Sequence, residues 1–547
     1  MEKKLGVWSV KPVAEAQVQW LTAARRLPEI LARLLVIRGV KNPDEVEEWL
    51  NPSVAHLNPA ELLPDFEPAQ ERILRAIKKG ETILVWGHDD LDGITATVIL
   101  CRIFADLQGK VKYHIPTKGR DKHGLDHRIL NTKDNVRLIV TVDCGITNYQ
   151  EIERLKEMGI DVVVTDHHET IDPLPAAVAA VDPKRSDSDY PYPALAGVGV
   201  ALKLAMGIVK SKLGCSYEEF LSAQPDILTL AAIGTIADRV TLTGENRILV
   251  TLGLAQLERT SIPALRTVLK SMGITPGKLT VSGFLTELLP LFAAVNGADG
   301  VRYFLEGEPI EVEAWVKELV ERSRQWREEA ERSFVLAQEN VRLGDGILFV
   351  QHKELSLRAL GFCAARLKER YQVPAVVIGW RGDAWVGECR GMDGIDLMDL
   401  LRAMRNYFID YGGHKKAAGF SIREERLADF IKAAEQFAHE NFAHRVLVDN
   451  TTTADAFLSF REWRPELIKL APFGEGNPQP VFISEATFFN RRGDNLVPMT
   501  RPDLVLTPGK REVLVDLTVP YRVIWTVDDM GRMTVLDARP SHNQDAR

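Results

Sequence analysis

The segment Ile83-Leu84-Val85-Trp86-Gly87-His88-Asp89-Asp90-Leu91-Asp92-Gly93 decides how the rest of the chain is read. A β-branched apolar run reaches Gly87, a histidine and three acids crowd the next positions, and Ile94 to Phe104 then carries an apolar helical pattern. The pattern predicts strand, charged turn, helix. In an open α/β sheet the ligand crevice lies beyond the C-terminal ends of the strands, so this turn delivers carboxylates to the place where chemistry is done. Oxygen donors joined by an imidazole suit Mn2+ or Mg2+ better than zinc, which takes more nitrogen and sulfur.

Two further strand ends repeat the arrangement. Leu138 to Val142 runs into Asp143-Cys144-Gly145, and Val162 to Thr165 runs into Asp166-His167-His168-Glu169. Between them Tyr149 to Met158 has helical composition and closes at Gly159, so these strands belong to consecutive βαβ units of a parallel sheet. Right-handed crossovers bring all such strand ends to one edge of the sheet. The apolar run Ile227 to Ala237 delivers Asp238-Arg239. A carboxylate at the end of a buried helix is costly unless paired or bound to metal, so Asp238 reads as a ligand, with an N-cap or a salt bridge with Arg239 as the alternative.

His88-x-Asp90-x-Asp92-Gly93, Asp143-Cys144-Gly145, Asp166-His167-His168 and Ala237-Asp238 together resemble the four motifs of the DHH phosphoesterase superfamily. Within it the chain is similar to the RecJ family of single-strand-specific 5′→3′ DNA exonucleases. That likeness takes in Arg38-Gly39-Val40, Leu195 to Ala201, Leu242-Thr243-Gly244-Glu245-Asn246-Arg247, Gly412 to Phe420 and Pro472 to Pro478. The resemblance implies an α/β fold with a parallel-sheet DHH domain, a long linking helix, a smaller α/β DHH-associated domain and a C-terminal OB-like β-barrel. It implies two ions, Mn2+ or Mg2+, with Asp143 as the bridging carboxylate. Asp90 and His88 would serve one ion; Asp92, His167 and Asp238 would serve the other. His168 would contact the substrate phosphate, while Arg390, Gly412, Gly413 and His414 would hold the 5′ end. The implied setting is DNA repair and recombination, with single-stranded DNA as partner and a helicase or single-strand-binding protein as a source of strands.

The chain departs from the family pattern at four places. His88 stands where an aspartate is usual, and Asn296-Gly297-Ala298-Asp299-Gly300 lacks the arginine that normally follows. Gln351-His352 leads into Lys353-Glu354-Leu355 in place of the usual valine and glycine, and Cys389-Arg390-Gly391 replaces alanine-arginine-serine.

Length and composition set the outer bounds. At 547 residues the chain exceeds one core. The expected domains are a helical cap at 1–80, a catalytic domain at 81–310, a linking helix at 311–341, the second α/β domain at 342–444 and the barrel at 445–547. The cap is expected to pack on the sheet without chemistry of its own. With 45% hydrophobic and 26% charged residues the chain reads as globular, without disorder. No apolar run suits a membrane span, and Met1-Glu2-Lys3-Lys4 leads into no signal-type core, so a cytoplasmic protein is expected. The five cysteines include no C-x-x-C pair, which argues against zinc or redox chemistry. A net charge of −8 excludes a uniformly basic surface but not a local positive track.

Three stretches carry weaker signals. The loop Pro116 to Leu125 sets Lys118 and two other basic residues beside the acids, as a phosphate contact or an ordinary surface loop. Gly197-Val198-Gly199 opens an apolar helix, either letting phosphate reach backbone amides or allowing a tight helix–sheet contact. In the barrel, Phe488, Phe489, Arg491 and Arg492 are candidates for stacking and backbone contacts with a single strand. Two other functions stay open: a phosphodiesterase for short oligonucleotides, RNA or cyclic dinucleotides, which needs no barrel, and a non-catalytic replication scaffold, which needs no intact ligands.

Overall fold

The computed structural model describes residues 8–116, 124–129, 135–170, 173–257, 259–275, 277–292, 295, 297–392, 394–413, 415–442, 452–509 and 517–541. Lys118 and His414 lie outside the described residues. The chain divides into two compact units, one of Val10–Val320 with Ala454–Arg547 and the other of Glu321–Thr453 with Met1–Ser9.

The first unit is built on a five-stranded parallel sheet of β1 (Thr82–Trp86), β2 (Lys110–His114), β3 (Val136–Val142), β4 (Asp161–Thr165) and β5 (Ala179–Val181), in the order β2-β1-β3-β4-β5. The central strands are buried on both faces, which is why they read as unbroken β-branched runs rather than alternating ones. Helices α1 (Leu91–Asp106), α2 (Gly197–Leu213) and α3 (Asp226–Ala237) pack on one another within the core. In α3 Ile227, Leu230 and Ala231 are fully buried. Each leucine or isoleucine so placed contributes about 2 kcal/mol, enough to carry a polar residue at the helix end.

The N-terminal 80 residues do not form one cap on this sheet. Helices Glu15–Arg25, Glu29–Ile37 and Pro43–Leu50 place Val18, Leu21, Leu34 and Trp49 in a core shared with Phe460, Phe482 and Trp525 of the C-terminal region, whereas helix Phe66–Lys79 joins the catalytic core. The C-terminal region is a seven-stranded mixed sheet running from edge strand Ala456–Phe457 to edge strand Phe489–Arg492.

Three motifs of unassigned purpose tie these pieces together. Buried Arg247 donates to the carbonyls of Trp49, Lys469, Leu470 and Ala471. Asn477 donates to the carbonyls of Leu470 and Pro472 and accepts from Arg38 Nε at 2.6 Å. Glu245 accepts from Tyr190 Oη at 2.5 Å, from Lys203 Nζ at 3.0 Å and from the Asn58 amide at 2.9 Å. The Arg38, Glu245-Asn246-Arg247 and Asn477 motifs are therefore fasteners among catalytic, N-terminal and C-terminal segments.

Helix α4 (Pro309–Glu339) is the expected long helix; its Val312, Trp315, Val316 and Leu319 belong to the first core. In the second unit a six-stranded sheet carries strands Leu348–His352, Ala375–Trp380 and Trp385–Arg390. Strands Phe408–Gly413 and Ala417–Ile422 pair antiparallel, placing Gly412 opposite Gly419. Glycines there mark close backbone pairing rather than absence of a strand.

Candidate metal centre

Six side chains from four separated segments meet beyond the C-terminal ends of β1, β3 and β4 and the end of α3. They sort into the trios His88, Asp90, Asp143 and Asp92, His167, Asp238, each with ligand atoms within 4.8 Å of one another. Asp143 also groups with His167 and His168 within that distance.

Local backbone structure explains how each group is aimed. Asp90 is the N-cap of α1 and accepts from the Gly93 amide at 3.0 Å, so its free oxygen turns back toward His88 Nδ1, 3.1 Å away. Asp92 lies in the first turn of α1 and is fully buried; its oxygens accept from the amides of Gly197 at 2.7 Å and Val198 at 2.9 Å. These are the first amides of α2, where the helix dipole favours an anion. A Cβ on Gly197 would lie 2.7 Å from Asp143 Cβ and 2.9 Å from Asp92 Oδ2. The glycine-rich opening of α2 thus holds a protein carboxylate at close quarters, and these two amides are occupied by Asp92.

Asp143 follows β3 in a left-handed conformation with φ of 58°. Aspartate tolerates this better than most residues. Its Oδ1 lies 3.0 Å from His167 Nε2 and its Oδ2 3.6 Å from His88 Nδ1, so it stands between the trios. His167 Nε2 is also 3.9 Å from Asp92 Oδ2 and 3.7 Å from Asp238 Oδ2. Asp238 sits at the C-terminal cap of α3, which removes the N-cap alternative.

One contributor went unassigned in the sequence. Asp166, buried at the end of β4, accepts from the amides of Ile146 and His167 and from His168 Nδ1–H at 2.7 Å. It acts as an anchor that fixes the His168 ring through Nδ1, while the ring itself stays half-exposed. Its place in the motif signals importance, but whether it points to metal or to its neighbour is a three-dimensional fact.

The electrostatics match a cation site. Burial, then repulsion from Asp92, pushes the Asp143 carboxyl well up. Burial and the Asp238 charge push Asp92 up to about 7, while burial and the Asp90 charge do the same for Asp238. Against its own burial, Asp90 is held at about 2 by hydrogen bonding and charge from His88. Burial lowers His167, whereas the Asp166 hydrogen bond raises His168. Packed carboxylates whose ionisation is suppressed by burial and by one another are the environment that divalent cations relieve. The six side chains supply only oxygen and imidazole nitrogen donors, which fits Mn2+ or Mg2+.

The remaining expected site residues divide. Arg390 lies in the second unit on strand Trp385–Arg390, with Gly412 and Gly413 on the hairpin strand Phe408–Gly413. In the C-terminal sheet Phe489 is 2% exposed and packs edge-on to Phe460, which corrects its expected stacking role. Phe488 beside it is exposed, as are Arg491 and Arg492. The alternation of a strand sends successive side chains to opposite faces, and Phe489 took the core.

A parallel sheet whose strand ends gather carboxylates and histidines around a paired-cation site defines a DHH-type phosphoesterase. The DHH family N-terminal domain model matches residues 82–235, and the DHHA1 domain model matches 344–440. The single-stranded-DNA-specific exonuclease RecJ of Escherichia coli is 31% identical over 496 residues, 85% of each chain. That of Bacillus subtilis is 29% identical over 503 residues; the alignment covers 87% of this chain and 61% of the relative's length. The crystal structure of Thermus thermophilus RecJ in complex with Mn2+ superposes with a TM-score of 0.80 at 25% identity, covering 99% of this chain and 80% of that one. The chain belongs to the RecJ family.

Proposed function

We propose that the protein is a two-metal-dependent 5′→3′ exonuclease that hydrolyses single-stranded DNA to 5′-mononucleotides. The observation that carries this reading is the pair of trios linked through Asp143, which belongs to the first and lies 3.0 Å from His167 of the second, joined to family membership. His88, Asp90 and Asp143 would hold one cation; Asp92, His167 and Asp238, with Asp143 shared, would hold the other. When bound, the cations acidify water and neutralise negative charge on a phosphodiester.

The chain's own residues set the stage for that chemistry. Asp92 is immobilised by two helix amides and Asp90 by its cap, so the carboxylates are oriented before substrate arrives. His168, with Nδ1 held by Asp166, presents Nε2 as a donor to a phosphate oxygen, and its raised pKa favours the imidazolium that does this best. Arg390, Gly412, Gly413, His414 and Lys118 are assigned to holding the strand and its 5′ end. Phe488, Arg491 and Arg492 offer an exposed aromatic and two cations for the strand beyond the site. A helicase or single-strand-binding protein would supply such strands, in the cytoplasm. Among the described residues no single helix is long and apolar enough to cross a membrane.

The test is incubation with Mn2+ and end-labelled single-stranded DNA, single-stranded RNA and duplex DNA. Release of mononucleotides from the 5′ end of single-stranded DNA alone supports the reading. Equal cleavage of RNA, release from the 3′ end, or digestion in excess chelator would overturn it.

A further inference from the structure

Strand Trp385–Arg390 alternates buried and half-open positions, and Glu388 and Arg390 share the half-open face. Arg390 Nη1 donates to Glu388 Oε2 at 2.9 Å and to the Cys389 carbonyl at 2.8 Å, with 37% of the glutamate side chain and 28% of the arginine side chain exposed. Small residues border the pair. Gly361 lies so close that a Cβ there would be 2.4 Å from Arg390 Nη2 and 3.5 Å from Glu388 Oε2. A Cβ on Gly419 would be 3.3 Å from Glu388 Oε1, and Ala417 is the partner of Arg390 across the sheet. The pair is accordingly flanked by bare backbone, and both its charges remain reachable.

From this geometry we infer that Glu388 sets the terminal-group preference of the enzyme, making it accept a 5′-hydroxyl end at least as readily as a 5′-phosphate. The inference rests on the reading of Arg390 as part of the pocket that holds the 5′ end. An isolated guanidinium selects a phosphate, which it can grip with two parallel hydrogen bonds. A guanidinium already paired with a carboxylate presents one donor and one acceptor with no net charge. That is the complement of a hydroxyl, which donates to the carboxylate and accepts from the guanidinium. A terminal phosphate must instead displace Glu388 or sit beside a like charge.

The experiment uses the full chain with Mn2+ and one single-stranded oligonucleotide prepared with a 5′-hydroxyl or a 5′-phosphate and a 3′ fluorophore. The expected result is a 5′-hydroxyl rate equal to or above the 5′-phosphate rate. Glu388→Gln should raise the phosphate-to-hydroxyl rate ratio by about tenfold, and Glu388→Asp, which keeps the charge, should leave it near the wild-type value. A merely structural role for Glu388 would change both rates together and leave the ratio fixed. A wild-type preference for 5′-phosphate, or an unchanged ratio in Glu388→Gln, overturns the inference while digestion itself still supports the proposed function. No digestion of either strand overturns the proposed function and the inference with it.

Discussion

The amide of Gly197 donates to Asp92 Oδ2 at 2.7 Å, joining the first turn of one core helix to the first residue of another. This bond places a buried carboxylate against Asp143 and ties the geometry of the centre to the packing of helices 91–106 and 197–213. A side chain at 197 cannot be added without moving Asp143 or Asp92. Gly197→Ala is therefore expected to lower Mn2+-dependent cleavage by about 100-fold, the scale of an ångström-sized displacement of reacting groups. Circular dichroism should show an intact fold; activity within a factor of three of wild type would contradict the assignment.

Asp166 touches the site through His168. Asp166→Asn keeps the shape but exchanges the strong acceptor for His168 Nδ1–H for a weaker neutral one. Loss of a partner that orients such a ring costs about 10- to 100-fold in activity. The rate should fall by that amount, and His168→Ala should fall at least as far. The double variant should then be no worse than His168→Ala alone, because Asp166 acts through the ring; additive losses in kinetic measurements would refute that coupling.

The crowded carboxylates give the metal-free protein a pH dependence whose direction is fixed. Burial and mutual repulsion raise Asp92 and Asp238 from an ordinary 3.8 to about 7. Between those values the folded chain binds more protons than the unfolded one, so this contribution to stability is present at low pH and is lost as pH rises through about 7. In chelator, the Tm should decline between about pH 4 and pH 7 from this source. Added Mn2+ should raise Tm more at the upper end, where fewer protons compete for the ligands. Equal Mn2+ stabilisation at both ends would count against the carboxylate cluster as the binding site.

Arg247 spreads its guanidinium over four carbonyls contributed by the N-terminal and C-terminal segments. Arg247→Met retains the stem yet withdraws the guanidinium's hydrogen bonds from those oxygens. Equilibrium denaturation should register a loss of roughly 3 kcal/mol or more, the scale of breaking a buried charged network. Limited proteolysis should cut more readily near residue 470. A variant as stable as wild type in both assays would show that the fastening lies elsewhere.

The sequence made the sheet and its ligand-bearing ends legible because buried parallel strands are continuous β-branched runs, and Asp143 and Asp166-His167-His168 stand where those runs stop. It could not reveal that the amides of Gly197 and Val198 are consumed by Asp92, since that contact joins residues 105 positions apart for the first amide. Nor could it choose between Phe488 and Phe489, because alternation specifies opposite faces without saying which face is covered. The glycines at 412 and 413 gave no strand signal, because the close pairing with Gly419 that offsets their cost inside a strand joins separate stretches of sequence. Likewise, Glu388 and Arg390 are two residues apart on any strand; only the flanking glycines expose their pairing to a ligand.

The central claim, that Asp143 joins two cation sites, is tested most directly by counting Mn2+ per chain after equilibrium dialysis, in wild type and in Asp143→Asn. Asparagine also accepts the left-handed backbone at this position, so the variant should fold. The account predicts two tightly held ions in wild type and weakened binding of both in the variant, with cleavage abolished. A single ion in wild type, or two ions retained with undiminished affinity in Asp143→Asn, would contradict it.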